Sequence, residues 1–226
     1  LAEPWNALLK ASDNDVPFLT HEWLTAWKSV YAPQARLRVL VAEDAMGLAG
    51  ALPLYAATRR LAGLAPLREL RLMADEGGGA DFLGLALRPD RARNTALALA
   101  RALAEDPSWD GLDLDQTPAA SRSLALFQAA WRELGQPLEQ TLRHLCPHMT
   151  LPADWPAFMD SPDRTFKAIV ARSEARGGRK RDLGFSLSAP PETLETALDQ
   201  LFALHAERWR LEGRPGTLGD HRRQAF

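Results

Sequence analysis

The chain has one cysteine, Cys146, in 226 residues. That excludes an internal disulfide and suits a reducing compartment. Long apolar runs are missing too: no stretch reaches the roughly 18 apolar residues that a membrane-spanning helix needs. The opening LAEPWNALLK lacks the basic-then-apolar order of a secretory signal, and no initiator methionine precedes it. A cytoplasmic protein whose start lies further upstream is the expectation. Charge of one sign is also lacking, since 27 Lys and Arg against 29 Asp and Glu leave a formal net charge of -2. Such a balance gives no global pull toward nucleic acid or a membrane surface. What is present is ordinary for a globular chain, with 46% hydrophobic and 25% charged residues. It suffices for one large core, or for one and a half smaller ones.

Residues 16–55 (VPFLTHEWLTAWKSVYAPQARLRVLVAEDAMGLAGALPLY) organise the rest. Thr20 is placed to cap a helix, and Glu22 sits where a helix N-terminus favours negative charge. Trp23, Trp27, Val30 and Tyr31 recur at helical spacing and predict one aromatic face against a core. From Leu37 the period changes to two, with Leu37, Val39 and Val41 on one face and Arg38, Leu40 and Ala42 on the other. Residues 44–47 read as a turn, and 48–55 as the partner strand. The pattern is a hairpin beside a helix.

Ahead of it, residues 3–10 form a short helix with Trp5, Leu8 and Leu9 inward. Behind it, residues 67–73 and 81–87 read as strands, joined through Gly77, Gly78 and Gly79. Glycine lets amides approach an anion, but no Lys-Ser/Thr follows, and Asp75, Glu76 and Asp81 would repel phosphate. Asp81 stands at a loop edge just before a strand, where sites often sit. Asp90 is placed to cap a helix over 91–105. Residues 109–115 form a strand whose Asp113 and Asp115 share a face, with a solvated strand end the plainer reading. Residues 121–134 make an amphipathic helix with Leu124, Phe127, Trp131 and Leu134 inward and Gly135 as its stop.

Residues 138–151 read as extended. On a regular strand His144, Cys146 and His148 would share one face, as zinc ligands can, yet Pro147 spoils that register. Residues 152–162 are a proline-punctuated connection. A helix from Asp163 or Thr165 follows, with Phe166, Ile169 and Val170 inward and a basic continuation through Arg172, Arg176, Arg179, Lys180 and Arg181. No aromatic residue interleaves with this run, which argues against a single-stranded nucleic-acid platform. Gly177 and Gly178 predict a break inside it. A short strand over 183–187 precedes a long helix over 192–212, whose stripe holds Leu194, Leu198, Leu201, Phe202, His205 and Trp209. Gly213 ends it, and residues 220–226 open another helix.

Six segments, in order, resemble the BioF2-like/CelD-type acetyltransferases, a branch of the GNAT acyltransferase superfamily. They are PFLTHEWLTAW, LRVLVAED, LAGALPLY, ADFLGLAL (80–87), CPHMTLP (146–152) and LHAERWRLEGRPG (204–216). The resemblance implies an α/β fold with a mixed sheet, in tandem GNAT-like lobes. Residues 1–151 would be the N-terminal lobe, 152–162 a linker, and 163–226 the start of an incomplete C-terminal lobe. It implies a CoA-dependent acyltransferase, with acetyl-CoA or another acyl-CoA as substrate and no metal. The amide loop expected to hold the CoA pyrophosphate, [RQ]-x-x-G-x-[GA] after a central strand, is not matched by SEARGG (173–178) or RLEGRPG (210–216). The cofactor site is therefore expected beyond Phe226.

The acceptor would be an amine or hydroxyl on a small molecule or glycan, since relatives are associated with exopolysaccharide and cellulose production. At His205, Arg208 and Trp209 the chain carries the family's H-x-x-R-W pattern. His205, otherwise a satisfied core histidine, is then the proton-accepting catalytic residue, and Arg208 and Trp209 contact substrate. A carboxylate is typical of the family where Asp81 stands, which makes Asp81 a further substrate contact. Two other readings stay open. One is a binding module of the same fold. The other is an aminoacyl-tRNA-dependent, FemABX-like cell-wall peptide transferase, which would want a long basic helical hairpin. Neither a nucleic-acid partner nor a membrane span is expected, and the oligomeric state is undetermined.

Overall fold

A computed structural model of the chain describes residues 2–61, 65–160, 164–179 and 191–226. The fold is mixed α/β and divides into two compact units, Leu1–Glu139 with His205–Phe226, and Gln140–Leu204. The expected linker, 152–162, falls inside the second unit.

In the first unit, helix α1 (Ala2–Ala11) buries Trp5, Leu8 and Leu9, as its spacing predicts. The Trp5 indole N–H donates to the Leu19 carbonyl at 2.8 Å, tying α1 to the turn before α2 (His21–Val30). Thr20 caps α2, its hydroxyl accepting from the Trp23 amide at 3.3 Å. Leu24 and Trp27 face the core, whereas Trp23, Val30 and Tyr31 are only partly covered.

The expected hairpin forms but is shared between two sheets. Its first arm is β1 (Arg36–Leu37) and β2 (Leu40–Asp44), and its second is β3 (Gly47–Leu52) and β4 (Leu54–Leu61). β1 pairs with β4, and β2 with β3, both antiparallel. The break in the second arm is Pro53, which has no N–H to give a ladder. Around it the Pro53 carbonyl accepts from the Met73 amide at 2.9 Å, and Arg38 donates its amide to Leu54 at 2.8 Å. The face of Leu40 and Ala42 packs on the core, while Leu37, Val39 and Val41 remain exposed.

Strand β5 (Ala65–Leu72) lies antiparallel to β4, and β6 (Ala86–Leu87) pairs with β3. The strand expected over 81–87 shrinks to these two residues, because Phe82 (φ 57°) and Gly84 (φ 147°) hold conformations outside the β region. Helix α3 (Ala92–Ala104) then carries the chain to β7 (Gly111–Asp113), which pairs in parallel with β5. A parallel pair requires such a crossover. The sheets therefore run β1-β4-β5-β7 and β2-β3-β6. Asp90 does not cap α3. Arg91 holds that position without a side-chain bond, while Asp90 pairs with Arg88 and Arg91 at 3.5 and 3.3 Å. Helix α4 (Arg122–Glu133) is capped by Ser121 and buries Leu124, Phe127 and Trp131, and Gly135 (φ 70°) follows its end.

The second unit holds α5 (Trp155–Asp160), α6 (Arg164–Arg179) and α7 (Pro191–Leu211) as far as Leu204. Gly177 and Gly178 do not break α6, which runs through both. A glycine costs a helix about 1 kcal/mol, less than the remaining turns supply when the neighbours are good helix formers. Phe166, Ile169, Leu194, Leu198 and Leu201, expected to face inward, are exposed. Residues 138–151 form no strand, and His144, Cys146 and His148 are exposed. The strand expected over 183–187 and the basic residues Lys180 and Arg181 lie outside the described residues. Among the described residues no helix is long and apolar enough to cross a membrane.

β3 and α3 approach closely at Gly50. A Cβ there would overlap the Thr95 methyl and stand 2.9 Å from Leu87 Cδ2 and 3.2 Å from the Ala86 carbonyl. Gly50→Ala is expected to destabilise the first unit by about 1–3 kcal/mol, read as a lower urea midpoint. An unchanged midpoint would show that α3 can shift away at no cost.

Candidate functional site

Two side-chain constellations in the first unit carry chemistry. The first lies where α7 ends. Gly213 (φ 67°) and Gly216 (φ 68°) adopt conformations that glycine takes without strain, and they turn the chain back on itself. Arg214 donates its amide to the Trp209 carbonyl at 3.0 Å. Gly216 then lies so close to the His205 and Trp209 rings that a Cβ would overlap both. The two ring centroids are 5.9 Å apart. Arg208 places its guanidinium carbon 5.8 Å from the Trp209 centroid, within cation–π range, and its Nε 3.9 Å from Glu212 Oε1. Arg208 is largely exposed, so these contacts orient it only weakly.

Three of the four residues expected at a site, His205, Arg208 and Trp209, therefore form one cluster. Asp81 is not joined to it. Its carboxylate is exposed in the loop before β6 and enters no hydrogen bond or ion pair among the described residues.

The second constellation sits past the C-terminal ends of the parallel strands β5 and β7. Asp75, its side chain only 4% exposed, accepts from the Tyr55 hydroxyl at 2.9 Å and forms an ion pair with Arg71, whose Nε lies 2.7 Å away. Arg71 also reaches Glu76 at 2.8 Å. The Trp27 indole N–H donates to the Glu76 carbonyl at 2.7 Å, and the Gln116 side chain donates to the Asp75 carbonyl at 3.1 Å. Four elements thus hold the start of the glycine loop, and Gly77 (φ 90°) packs so tightly on the Tyr31 ring that no side chain would fit.

Burial raises the Asp75 carboxyl to about 6, against the lowering effect of Arg71 and Tyr55, with Glu76 and Asp113 adding to the rise. Burial and Asp75 push the Tyr55 hydroxyl upward as well. Arg71 stays charged. A buried carboxylate titrating near neutrality is a group able to exchange protons under ordinary conditions. The sequence offered Gly77–Gly79 and Asp113 as separate features. The signal that unites them is the parallel pairing of β5 with β7, since in open sheets sites gather outside the carboxyl ends of parallel strands.

No family model, curated protein or solved structure matches the chain. Among the described residues no group of three His, Cys, Asp or Glu side chains could hold a metal ion.

The Asp75 shift has a definite sign. A carboxyl raised from 3.8 to about 6 in the fold contributes stability that is complete below the lower value and is lost as pH rises through the upper one. Relative to Asp75→Asn, the wild-type chain should be more stable at pH 5 than at pH 7.5, by about 1–2 kcal/mol. Urea midpoints of both proteins at the two pH values measure this. An equal difference at both would mean that Arg71 pairing cancels the effect of burial.

Proposed function

We propose that the chain belongs to a CoA-dependent acyltransferase of tandem GNAT-like topology, of the BioF2-like/CelD-type kind. It would pass an acetyl or other acyl group from acyl-CoA to an amine or hydroxyl. The observation that carries the reading is the pair of His205 and Trp209 rings packed against Gly216, with the exposed Arg208 guanidinium beside the Trp209 ring. The imidazole is partly exposed and can meet an acceptor. In the reaction the acceptor's N–H or O–H proton passes to the neutral imidazole as the acceptor attacks the thioester carbonyl carbon. Backbone amides stabilise the oxyanion, the C–S bond breaks, and the imidazolium returns its proton to the departing thiolate.

One observation favours a second reading. Helix α6 carries Arg172 and Arg176 without a break at Gly177, and α7 is a further long helix. Two helices with basic residues are closer to what an aminoacyl-tRNA-dependent, FemABX-like transferase would want than the interrupted pattern expected from the sequence.

A thermal-shift titration with acetyl-CoA, on this chain and on the product of the full reading frame, separates the readings. A ligand that binds only the folded state stabilises it by roughly 2.7 kcal/mol at a hundredfold excess over Kd. A shift in either protein supports acyl-CoA binding. If neither responds, the tRNA-dependent and binding-module readings replace the acetyl-CoA one. In the full-length protein His205→Ala should lower kcat by about 100-fold or more if the imidazole carries the proton. Unchanged turnover removes His205 from the mechanism.

A further inference from the structure

A shallow groove, largely open to solvent and of about 500 Å³, lies on the Trp209 side of the cluster, between the end of α7 and α8 (His221–Ala225). It is lined by Trp209, Arg214, Gly216, Thr217, Asp220 and Arg223, together with Pro215. Its charges are not balanced within the fold. The carboxylate of Asp220 is occupied, since it caps α8 by accepting from the Arg222 amide at 2.9 Å. It also has His221 Nδ1 at 3.8 Å and Arg222 Nε at 4.0 Å. The guanidiniums of Arg214 and Arg223 enter no ion pair or hydrogen bond among the described residues. In a chain of net charge -2, this groove therefore presents uncompensated positive charge. Beside it stands the partly exposed indole of Trp209, fixed by Gly216, whose left-handed backbone closes over the ring.

Unpaired guanidiniums recognise oxyanions by charge-assisted, paired hydrogen bonds. A fixed indole adds an apolar face of the size of a sugar ring, and the Thr217 hydroxyl adds a donor and acceptor for ring hydroxyls. We propose that the groove binds a sugar phosphate, with the phosphate between Arg214 and Arg223 and the sugar ring against Trp209. The assignment rests on the acyltransferase reading only in making that ligand the acceptor. Its hydroxyls would then lie beside the proton-accepting His205.

Calorimetric titration of the chain at low salt with glucose 1-phosphate, glucose and inorganic phosphate tests the assignment. Glucose 1-phosphate should bind more tightly than either part alone. Arg214→Gln and Arg223→Gln, both exposed and expected to fold normally, should each weaken it about tenfold or more. Trp209→Leu should weaken glucose 1-phosphate without changing phosphate. Equal binding of inorganic phosphate would overturn the sugar assignment, leaving a simple anion site. Wild-type affinity in both arginine variants, or no binding at all, would overturn the groove as a site. The acetyl-CoA titration is independent of these outcomes. Binding of the sugar phosphate without an acetyl-CoA response keeps the groove and removes acyl transfer, and the reverse removes the groove alone.

Discussion

The first unit depends on a single missing hydrogen-bond donor. Without an N–H, Pro53 cannot continue a ladder, so the long second arm of the hairpin divides into β3 and β4. Both halves are buried next to the break, with Leu52 and Leu54 almost inaccessible on either side of the proline, while β4 becomes exposed over residues 58–60. One continuous segment thereby supplies a strand to each sheet, and both sheets share one core. The Met73 amide, which bonds the Pro53 carbonyl, fixes the end of β5 at the same point. The glycine loop that follows β5 starts there, so its position is set by the proline junction.

That dependence places the Asp75 network. Tyr55 comes from β4 just after the junction, Arg71 from the end of β5, Trp27 from α2 and Gln116 from beyond β7. Each is placed by a different element, and all meet on two consecutive loop residues. Buried polar groups in such an arrangement are held by mutual satisfaction, and removal of one member leaves the others exposed to the full penalty of burial. The α7 cluster is built differently. Its rings are neighbours along one helix, and only the return of the chain at Gly216 converts a surface stripe into a shaped surface.

Local chemistry was legible in the sequence where it acts over a few residues. The Thr20 and Ser121 caps, the buried stripes of α1 and α4, the turn before Gly47 and the stops at Gly135 and Gly213 all follow from side chain and backbone preferences within one or two turns. What failed needed partners distant in the chain. Phe82 and Gly84 leave the β region, so an alternating apolar run became a loop. Gly177 was outvoted by its helical neighbours. The exposure of Leu37, Val39 and Val41, and the meeting of Asp75 with Tyr55, depend on which strand lies beside which. Of the candidate site, His205, Arg208 and Trp209 were legible because helical spacing alone brings them together, while the Asp75 network required the parallel pairing of β5 and β7.

The exposed stripe on the hairpin bears on behaviour at high concentration. Among the described residues β2 is an edge strand with one ladder side unpaired, and Val41 beside that edge is half open to water, with Val39 and Met46 flanking it. An edge of this composition is a template on which a second copy could lengthen the sheet. The neighbouring residues oppose that outcome. Glu43 brings negative charge to the end of the strand, where the Asp44 carboxylate is already paired with Arg91, and the irregular register at Ala42 and Glu43 twists it away from flat pairing. One carboxylate and one bulge thus stand between this edge and self-pairing.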